Sequence, residues 1–327
     1  MATRIGLNGF GRIGRYLTRL LASESDLELV AVNARASNED LAHLLKYDSA
    51  HGRFLDVEPT KTGFKVAGKN VTVTRNAPGE WTWGELGCDI VVESTGKFTD
   101  RESCEKHLAC GAKKVLISAP GKDADLTVVV GVNDNLVGPE HNIISNASCT
   151  TNCLAPVAKV INDKYGIKHG IMTTIHSYTM SQRILDGSHK DLRRARACAV
   201  NMVPTTTGAA KAVGLVIPEL NGVLDGMAVR VPTQNVSLVD LVCELKKTAT
   251  PEDVNSALKA AANDSMGYSE EPLVSQDYMS STFGGVVDSG LTRVMGGTQL
   301  KLIIWYDNEA GFTNQLLRLT KKVAGML

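Results

Sequence analysis

The fold is decided by residues 4–14, which read RIGLNGFGRIG. The first five residues have the apolar character of a buried strand, and Arg12 opens a helical pattern. Between them, Gly9 permits a tight turn, Gly11 lets the backbone approach a pyrophosphate, and Gly14 lets helix and strand pack closely. A GxGxxG motif in this strand-to-helix context predicts a dinucleotide bound at the helix N-terminus. A glycine-rich turn without a ligand is the alternative.

Strands and helices alternate through the first half of the chain. This alternation predicts βαβ units in a doubly wound α/β sheet, and hence an NAD(P)-binding Rossmann domain over residues 1–148. The predicted strands are Arg4–Asn8, Leu27–Asn33, Asp89–Glu93, Lys114–Ser118, Leu126–Val130 and Asn142–Ile144, with a polar hairpin or edge at Phe64–Val66 and Asn70–Thr74; the helices are Arg12–Ser23 and Asn38–Lys46.

The second half has a different texture and predicts an α+β catalytic domain over residues 149–312, with a mostly antiparallel sheet. Residues 314–327 are amphipathic and are predicted to form a helix, and residues 313–327 are expected to complete the first domain. The predicted strands are His169–His176, Val223–Val231, Asn235–Leu245 and Gln299–Tyr306, the helices are Thr207–Ile217 and Pro251–Asp264, and Gln182–Ala199 is expected to be a charged loop.

The composition excludes several classes of protein. Lys plus Arg and Asp plus Glu number 35 each, so no overall basic field favours nucleic acid or an anionic membrane as main partner. Seven cysteines in 327 residues indicate reduced thiols rather than a disulfide framework. The first residues lack a signal-peptide core, and no apolar run is long enough to span a bilayer, which favours the cytoplasm. No metal site is predicted, because Cys149 and Cys153 have no further ligand at metal-binding spacing.

The end of the second predicted strand bears on the choice of dinucleotide. An acidic residue is expected there to accept hydrogen bonds from the adenosine ribose, but this chain has Asn33, Ala34 and Arg35. Without a carboxylate a 2′-phosphate is not repelled, and Arg35 can pair with it. The sequence therefore favours NADP, or use of both cofactors, against the alternative that Arg35 is a solvated loop charge.

Cys149 lies where a strand gives way to a helix. Unpaired backbone N–H groups and the positive end of the dipole favour a thiolate at such a position, and the thiolate is the nucleophilic form. A buried structural cysteine is the alternative for this segment alone.

Three downstream segments add groups for chemistry with an aldehyde. His176 follows a strand and can serve as a base, residues 205–211 place hydroxyls at a helix start suited to an anion, and Arg230 ends another strand. Each alone is more simply explained by helix capping, packing or surface charge. Together with a reactive thiol and a dinucleotide fold, they indicate aldehyde oxidation through a covalent thiohemiacetal.

The chain closely resembles phosphorylating glyceraldehyde-3-phosphate dehydrogenases of type I. The resemblance runs from end to end without large insertions, and it is carried by residues 8–15, 41–49 and 305–309 and most specifically by Ser148–Cys153. It implies oxidation of D-glyceraldehyde 3-phosphate, transfer of hydride to NAD(P), and release of a Cys149 thioester by inorganic phosphate as 1,3-bisphosphoglycerate. Two anion pockets flanking one thiol favour phosphorolysis over hydrolysis.

The resemblance also implies the roles of individual residues. Cys149 is the nucleophile and His176 its base. Thr179 and Arg230 would hold the substrate's C3 phosphate, Ser148, Thr150, Thr207 and Gly208 would line the site of inorganic phosphate, and Arg194 would assist. The dinucleotide contacts are expected at Asn8, Gly9, Gly11, Arg12, Ile13, Gly14, Ala34, Arg35, Arg75, Thr95, Gly96, Phe98, Ser118, Ser188 and Asn308, the last orienting the nicotinamide carboxamide.

Departures from the family pattern concern the cofactor. Ser188 stands in the S-shaped loop where NAD-specific members usually carry Pro, and a Ser there resembles the photosynthetic-type members that use NADP. Ala310, Phe312 and Gln315 replace the usual Trp, Tyr and Arg, which removes no group the reaction needs. By resemblance a homotetramer is expected, while the glycolytic or biosynthetic direction stays open.

Two other functions compete with this interpretation. Erythrose-4-phosphate dehydrogenase resembles the same family but hydrolyses its acyl intermediate, and Thr179 with the Thr207–Gly208 pair matches the phosphorylating enzyme better. A binding protein without catalysis, holding RNA with Arg193, Arg194 and Arg196, is the alternative from a different class.

Overall fold

The computed structural model describes residues 2–327, and the chain forms two compact units. The first unit runs through Val130 and includes Asp134–Ser148 and Thr313–Leu327. The second comprises Gly131–Asn133 and Cys149–Phe312.

The first unit is built on a nine-stranded sheet within the described residues. The strand order is β10-β11-β9-β8-β1-β2-β7-β6-β5, and neighbouring strands are parallel as far as β7. The predicted doubly wound α/β class is confirmed. The strands are β1 (Thr3–Asn8), β2 (Leu27–Asn33), β3 (Tyr47–Asp48), β4 (Gly52–Arg53), β5 (Val57–Thr60), β6 (Gly63–Val66), β7 (Lys69–Thr74), β8 (Ile90–Glu93), β9 (Lys114–Ile117), β10 (Leu126–Thr127) and β11 (Ile143–Ser145); the helices are α1 (Arg12–Ala22), α2 (Asn38–Lys46) and α3 (Arg101–Ala109).

In the part of the chain that the structure describes, the second unit has a seven-stranded sheet. Its strand order is β13-β14-β12-β15-β18-β17-β16. Within this described sheet only the pairs β12 with β14 and β16 with β17 are parallel, so the sheet is mostly antiparallel, as predicted. The strands are β12 (Ile167–Ser177), β13 (Val203–Thr206), β14 (Leu224–Val231), β15 (Ser237–Leu245), β16 (Met266–Ser269), β17 (Gly285–Met295) and β18 (Gln299–Tyr306); the helices are α4 (Cys149–Tyr165), α5 (Ala209–Val216) and α6 (Pro251–Ala261). The last helix, α7 (Ala310–Ala324), belongs to the first unit from Thr313 onward.

The core of the first unit explains why its central strands read as continuous apolar runs. Ile5 and Leu7 of β1 are fully buried because helices cover both faces of a parallel sheet. Leu17 of α1 and Leu316 of α7 belong to the same buried cluster. The C-terminal helix therefore packs on the first unit's core, although it follows the second unit in the chain.

The short strands β5, β13 and β16 were not predicted, and two longer segments also differ from the sequence expectation. Residues 126–130 form a strand only at Leu126–Thr127. The N–H of Val128 makes one more ladder bond to the oxygen of Ser145, and the pairing ends because the chain then turns through Gly131, which has a φ of +86°. The long strand β17 was missed, because Gly, Asp and Ser interrupt its alternation and its register shifts between Asp288 and Arg293.

Candidate active site

Cys149 is the first residue of α4, a helix of 17 residues. Ala147, two residues earlier, has a φ of +56°, a left-handed conformation in which the chain turns from β11 into the helix. Thr150 and Thr151 continue the first turn and are buried. The thiol thus lies at the positive end of the α4 dipole, as the sequence predicts.

His176 lies beside this thiol. Its Nε2 is 3.6 Å from the Sγ of Cys149, and its Nδ1 is 2.7 Å from the backbone oxygen of Ser177. A proton on Nδ1 donates to that oxygen and leaves Nε2 free to accept the thiol proton. This tautomer gives the imidazole the geometry of a base toward Cys149.

Arg230 reaches the same imidazole from the neighbouring strand. The parallel register of β12 and β14 sets Arg230 opposite His176, and Nη1 donates to the oxygen of Ser177 at 3.0 Å. Nη1 also lies 2.6 Å from Nδ1, which can accept from it when the ring proton is on Nε2. The Nε of Arg230 is buried without a hydrogen-bond partner among the described residues, so an anionic ligand's oxygen would satisfy it.

Burial and the Arg230 charge have opposite effects on the pKa of Cys149 and the same effect on the pKa of His176. Burial raises the pKa of the Cys149 thiol, and the Arg230 charge opposes the rise. Burial, followed by Arg230, lowers the pKa of His176 to about 3. Burial thus works against the thiolate that the helix N-terminus favours. Moving the proton from Sγ to Nε2 offsets this cost, because it leaves opposite charges side by side, and the two groups titrate as a pair.

A second cationic surface lies at the start of α5. Gly208 is the N-cap residue, and the Oγ1 of Thr207 accepts from the backbone N–H of Ala209 at 3.2 Å. Arg194 donates from Nε to the Oγ1 of Thr205 at 2.8 Å, which holds its guanidinium beside this helix start. A helix N-terminus with a guanidinium next to it suits a phosphate.

The two helix starts are adjacent. The Oγ1 of Thr151, in the first turn of α4, donates to the backbone oxygen of Ala209, in the first turn of α5, at 3.4 Å. Thr179 is the remaining predicted phosphate ligand of this unit and lies in the loop after β12. Its Oγ1 is hydrogen-bonded to the Oγ of Ser181 at 2.9 Å. The thiol, the base and the predicted anion ligands other than Ser148 all belong to the second unit, whereas Ser148 is the last residue of a first-unit segment.

Tyr306 was quoted in the sequence only as part of a resemblance, and the structure gives it contacts in the site. Its hydroxyl lies 2.8 Å from both Thr150 Oγ1 and Thr174 Oγ1, and its ring meets that of His176 edge-on at 5.9 Å. Burial raises the pKa of Tyr306 well above its usual range, so it stays a neutral phenol. It fixes the first turn of α4 against the sheet that carries His176.

Asn308 is oriented by two serines that the sequence did not single out. Its Oδ1 accepts from Ser177 Oγ and Ser237 Oγ, each at 2.9 Å. With the amide oxygen engaged twice, the Nδ2 group is the end directed elsewhere, as a donor to a carboxamide oxygen would need.

The dinucleotide loop lies in the first unit at the carboxyl ends of the strands. A Cβ at Gly9, whose φ is +97°, would lie 2.8 Å from the backbone nitrogen of Thr95, and a Cβ at Gly14 would lie 2.6 Å from the oxygen of Gly9. A Cβ at Gly11 would meet no described atom within 4 Å. Gly9 and Gly14 thus serve close packing, whereas Gly11 borders open space where a pyrophosphate would fit.

The other predicted cofactor residues line the same sheet edge. Asn8 ends β1, Ala34 and Arg35 follow β2, Arg75 follows β7, Thr95, Gly96 and Phe98 follow β8, Ser118 follows β9, and Ile13 is in the first turn of α1. Arg12 is engaged by Asp48 at 2.5 and 2.9 Å. Burial would raise the pKa of Asp48, but hydrogen bonds from Arg12, His51 and Ala50 hold it well below its usual range. Ser188 and Asn308 belong to the second unit.

We expect Gly9→Ala to lower stability through two separate strains. A positive φ disfavours a side chain, and the new Cβ would collide with Thr95 and Ser94 backbone atoms at 2.8 and 2.9 Å. Together they should cost at least about 2 kcal/mol, measured as a shift of the urea denaturation midpoint. Gly79→Ala is the matched control, because Gly79 has a φ of +88° but no described atom within 4 Å. Equal losses in both variants would contradict the close approach.

All seven cysteines are free. Burial raises the pKa of Cys88, Cys104 and Cys243 to about 12 and that of Cys153 well above its usual range. These four thiols are poor nucleophiles at neutral pH. Of the other three, Cys110, Cys149 and Cys198, we take Cys149 as the reactive candidate, because it is partly exposed and has the imidazole of His176 3.6 Å from its sulfur.

Known proteins match the chain over its whole length. The NAD binding domain of glyceraldehyde 3-phosphate dehydrogenase matches residues 3–101, and the C-terminal domain of the same family matches residues 148–308. The chain is 56% identical to the glyceraldehyde-3-phosphate dehydrogenase of Geobacillus stearothermophilus and 54% identical to glyceraldehyde-3-phosphate dehydrogenase 1 of Bacillus subtilis, with 99% of each chain covered. It is 51% identical to that of Mycobacterium avium over 100% of both chains. Among residues 2–327 no helix is long and apolar enough to cross a membrane.

Proposed function

This chain belongs to the glyceraldehyde-3-phosphate dehydrogenase family and is an NAD-dependent oxidoreductase, and we propose that Cys149 and His176 carry its reaction. The observation that supports these roles is the 3.6 Å approach of Nε2 to Sγ at the N-terminus of α4. The substrate is D-glyceraldehyde 3-phosphate, the aldehyde of the family's name.

The chain's own groups account for the proton and charge movements. The Sγ of Cys149 attacks the aldehyde carbon as its proton passes to His176 Nε2, and Nε2 then donates that proton to the carbonyl oxygen, which becomes the hydroxyl of a thiohemiacetal. A nicotinamide oriented by Asn308 would supply the acceptor for the hydride of that carbon. His176 takes the hydroxyl proton as the carbonyl re-forms, which leaves a thioester on Cys149. A phosphate oxygen then adds to the thioester, and the thiolate leaves as 1,3-bisphosphoglycerate is released.

Anion binding distinguishes phosphorolysis from hydrolysis. We place the substrate's C3 phosphate on Arg230 and Thr179, and inorganic phosphate at Ser148, Thr150, Thr207, Gly208 and Arg194. The unpartnered Nε of Arg230 and the two adjacent helix starts support this division. The test is the rate of aldehyde oxidation with and without inorganic phosphate, using glyceraldehyde 3-phosphate and erythrose 4-phosphate. Rates independent of phosphate would favour the erythrose-4-phosphate alternative.

We further propose that the enzyme accepts NADP as well as NAD. Asn33 offers no carboxylate to repel a 2′-phosphate. The exposed Arg35 and Arg75 follow the paired strands β2 and β7. The backbone N–H of Ala34 donates to the oxygen of Thr74 at 3.0 Å, which brings the two strand ends together. Ser188, in the second unit, is the third residue assigned to this preference.

Arg35→Gln should lower kcat/KM for NADP about tenfold, because it removes one charge-assisted contact worth about 1.4 kcal/mol. The value for NAD should change less than threefold, since NAD has no 2′-phosphate. Lys65→Gln is the control, because Lys65 is exposed on β6 opposite Asn70, away from the carboxyl end of β7. Equal losses for NAD and NADP would contradict a 2′-phosphate contact.

We propose a homotetramer in the cytoplasm. The S-shaped loop with Ser188 lies between β12 and β13, in residues 178–202. Several of its large apolar side chains are highly exposed in one chain, as a surface covered by further copies would be. They include Met180 at 92%, Leu192 at 81% and Leu185 at 77%. Sedimentation equilibrium tests the assembly, and a monomer at micromolar concentration would refute it.

A further inference from the structure

Four donors converge on the buried carboxylate of Glu93, at the end of β8. Its Oε1 accepts from the backbone N–H of Thr95 at 2.7 Å and from the Thr95 hydroxyl. Its Oε2 accepts from the Nδ2 of Asn8 at 2.6 Å and faces the Nε2 of His107 at 3.3 Å. Glu93 is 1% exposed, and none of the catalytic steps above uses it.

The surroundings of His107 decide which of its nitrogens carries the proton. The indole Nε1 of Trp83 lies 3.0 Å from Nδ1, and an indole can only donate. Nδ1 is therefore the acceptor, so the neutral ring carries its proton on Nε2 and donates it to Glu93. Trp81 stacks on the imidazole at 3.8 Å and holds the ring in this orientation.

All four partners of Glu93 are thus donors, which only a carboxylate can satisfy. A glutamine has the same shape but one oxygen and one NH2 group. Whichever way its amide turned, the NH2 would face N–H or O–H donors. The side chain at position 93 must therefore accept four hydrogen bonds. These hydrogen bonds, and not an ion pair with Lys or Arg among the described residues, stabilise the negative charge of Glu93.

The network continues from Glu93 to the edge where the dinucleotide binds. Because Nδ2 of Asn8 is fixed on Glu93, Oδ1 of Asn8 turns to accept from Asn33 Nδ2 at 2.9 Å. Oδ1 of Asn33 then accepts from Thr74 Oγ1 at 3.0 Å and Asn76 N–H at 2.9 Å. Both ends of the Asn33 amide are therefore directed into the protein at the position where the fold expects a ribose ligand.

Glu93 also fixes the backbone beneath the glycine loop. The hydrogen bond from the Thr95 N–H to Glu93 fixes the position of the Thr95 backbone. The nitrogen of Thr95 is the atom that would lie 2.8 Å from a Cβ at Gly9. Ser94, between them, donates to the backbone oxygen of Gly9 at 2.8 Å. One carboxylate thus ties together the ends of β1, β2 and β8.

We propose that Glu93 is a positioning residue for the dinucleotide, which sets the spacing of the Gly9 and Thr95 backbones and the orientation of the Asn8 and Asn33 amides. The proposal rests on the binding of NAD(P) at this loop. It assigns to the buried carboxylate control of cofactor affinity, separate from the chemistry at Cys149.

The test compares Glu93→Gln with the matched control Glu85→Gln, an exposed glutamate of the same unit. E93Q should raise the Kd and KM for both NAD and NADP at least tenfold. Its kcat at saturating cofactor should stay within about threefold of wild type, and the rate of Cys149 alkylation by iodoacetamide in the absence of cofactor should be unchanged. A merely structural defect would lower kcat and alkylation together.

Rescue tests the direction of the hydrogen bonds. In the double variant Glu93→Gln, Asn8→Asp the introduced glutamine amide can donate to a carboxylate at position 8, which still accepts from Asn33. Kd should recover by at least threefold relative to E93Q. Unchanged cofactor Kd in folded E93Q, or a double variant that binds no better than E93Q, would overturn the proposal.

If E93Q does not fold, Glu93→Asp carries the same test, because it keeps the charge but withdraws it by one methylene; unchanged cofactor binding in that variant overturns the proposal. If wild type binds neither NAD nor NADP while Cys149 is alkylated normally, the dinucleotide assignment itself has failed.

Discussion

Replacing Cys149 by serine should reduce phosphate-dependent oxidation of glyceraldehyde 3-phosphate by roughly 10⁴-fold or more. A serine hydroxyl is far less acidic than a thiol, so His176 at this distance cannot supply a comparable fraction of nucleophile. Any ester that formed would also resist attack by phosphate more than a thioester does. The measurement is the steady-state rate of cofactor reduction with substrate and phosphate saturating.

The neighbouring thiol provides the control for this substitution. Cys153 lies one turn further along α4, is fully buried, and points its Sγ toward the backbone oxygen of Ile304 at 3.7 Å. Cys153→Ser should retain activity within a few-fold, since its hydroxyl can donate to the same oxygen. Cofactor affinity should be unchanged in both variants. Turnover of Cys149→Ser within tenfold of wild type would refute a covalent acyl-enzyme on this residue.

Local patterns predicted the parts of the site that lie next to each other in sequence. The glycines at 9, 11 and 14 and the thiol at 149 stand at strand-to-helix junctions, where the adjoining residues decide both the conformation and the chemistry. The same reasoning gave the α/β class and the two sheets. It missed β17, whose pairing with β18 overrides an interrupted apolar alternation.

Contacts across the sheet could not be predicted in this way. Arg230 meets His176 only because β12 and β14 pair in one particular parallel register, 54 residues apart in sequence. The partners of Glu93 come from β1, the turn after β8, and α3, so the residue has no local signature beyond its place at a strand end. Register and helix placement depend on packing of the whole unit, which no single segment encodes.

The second large effect is expected from His176→Asn. Removal of the base should lower kcat/KM by about 10²- to 10⁴-fold. Without the imidazole, the thiol proton has no acceptor at Nε2, while burial still raises the pKa of Cys149. Below that pKa the thiolate fraction grows tenfold with each pH unit. Alkylation of Cys149 by iodoacetamide should therefore be slower than in wild type at pH 7 and should rise steeply toward pH 9.

A histidine on the same strand separates loss of the base from damage to β12. His169 is exposed near the start of the strand, so His169→Asn makes the same chemical change far from the thiol and should leave the alkylation profile unchanged. Arg230 remains in both variants, so its charge cannot account for a difference between them. If His176→Asn were alkylated at the wild-type rate, with no dependence on pH between 7 and 9, the ionisation of Cys149 would be independent of the imidazole. The helix N-terminus and Arg230 would then have to stabilise the thiolate alone, and His176 would keep a role only in the hydride-transfer step.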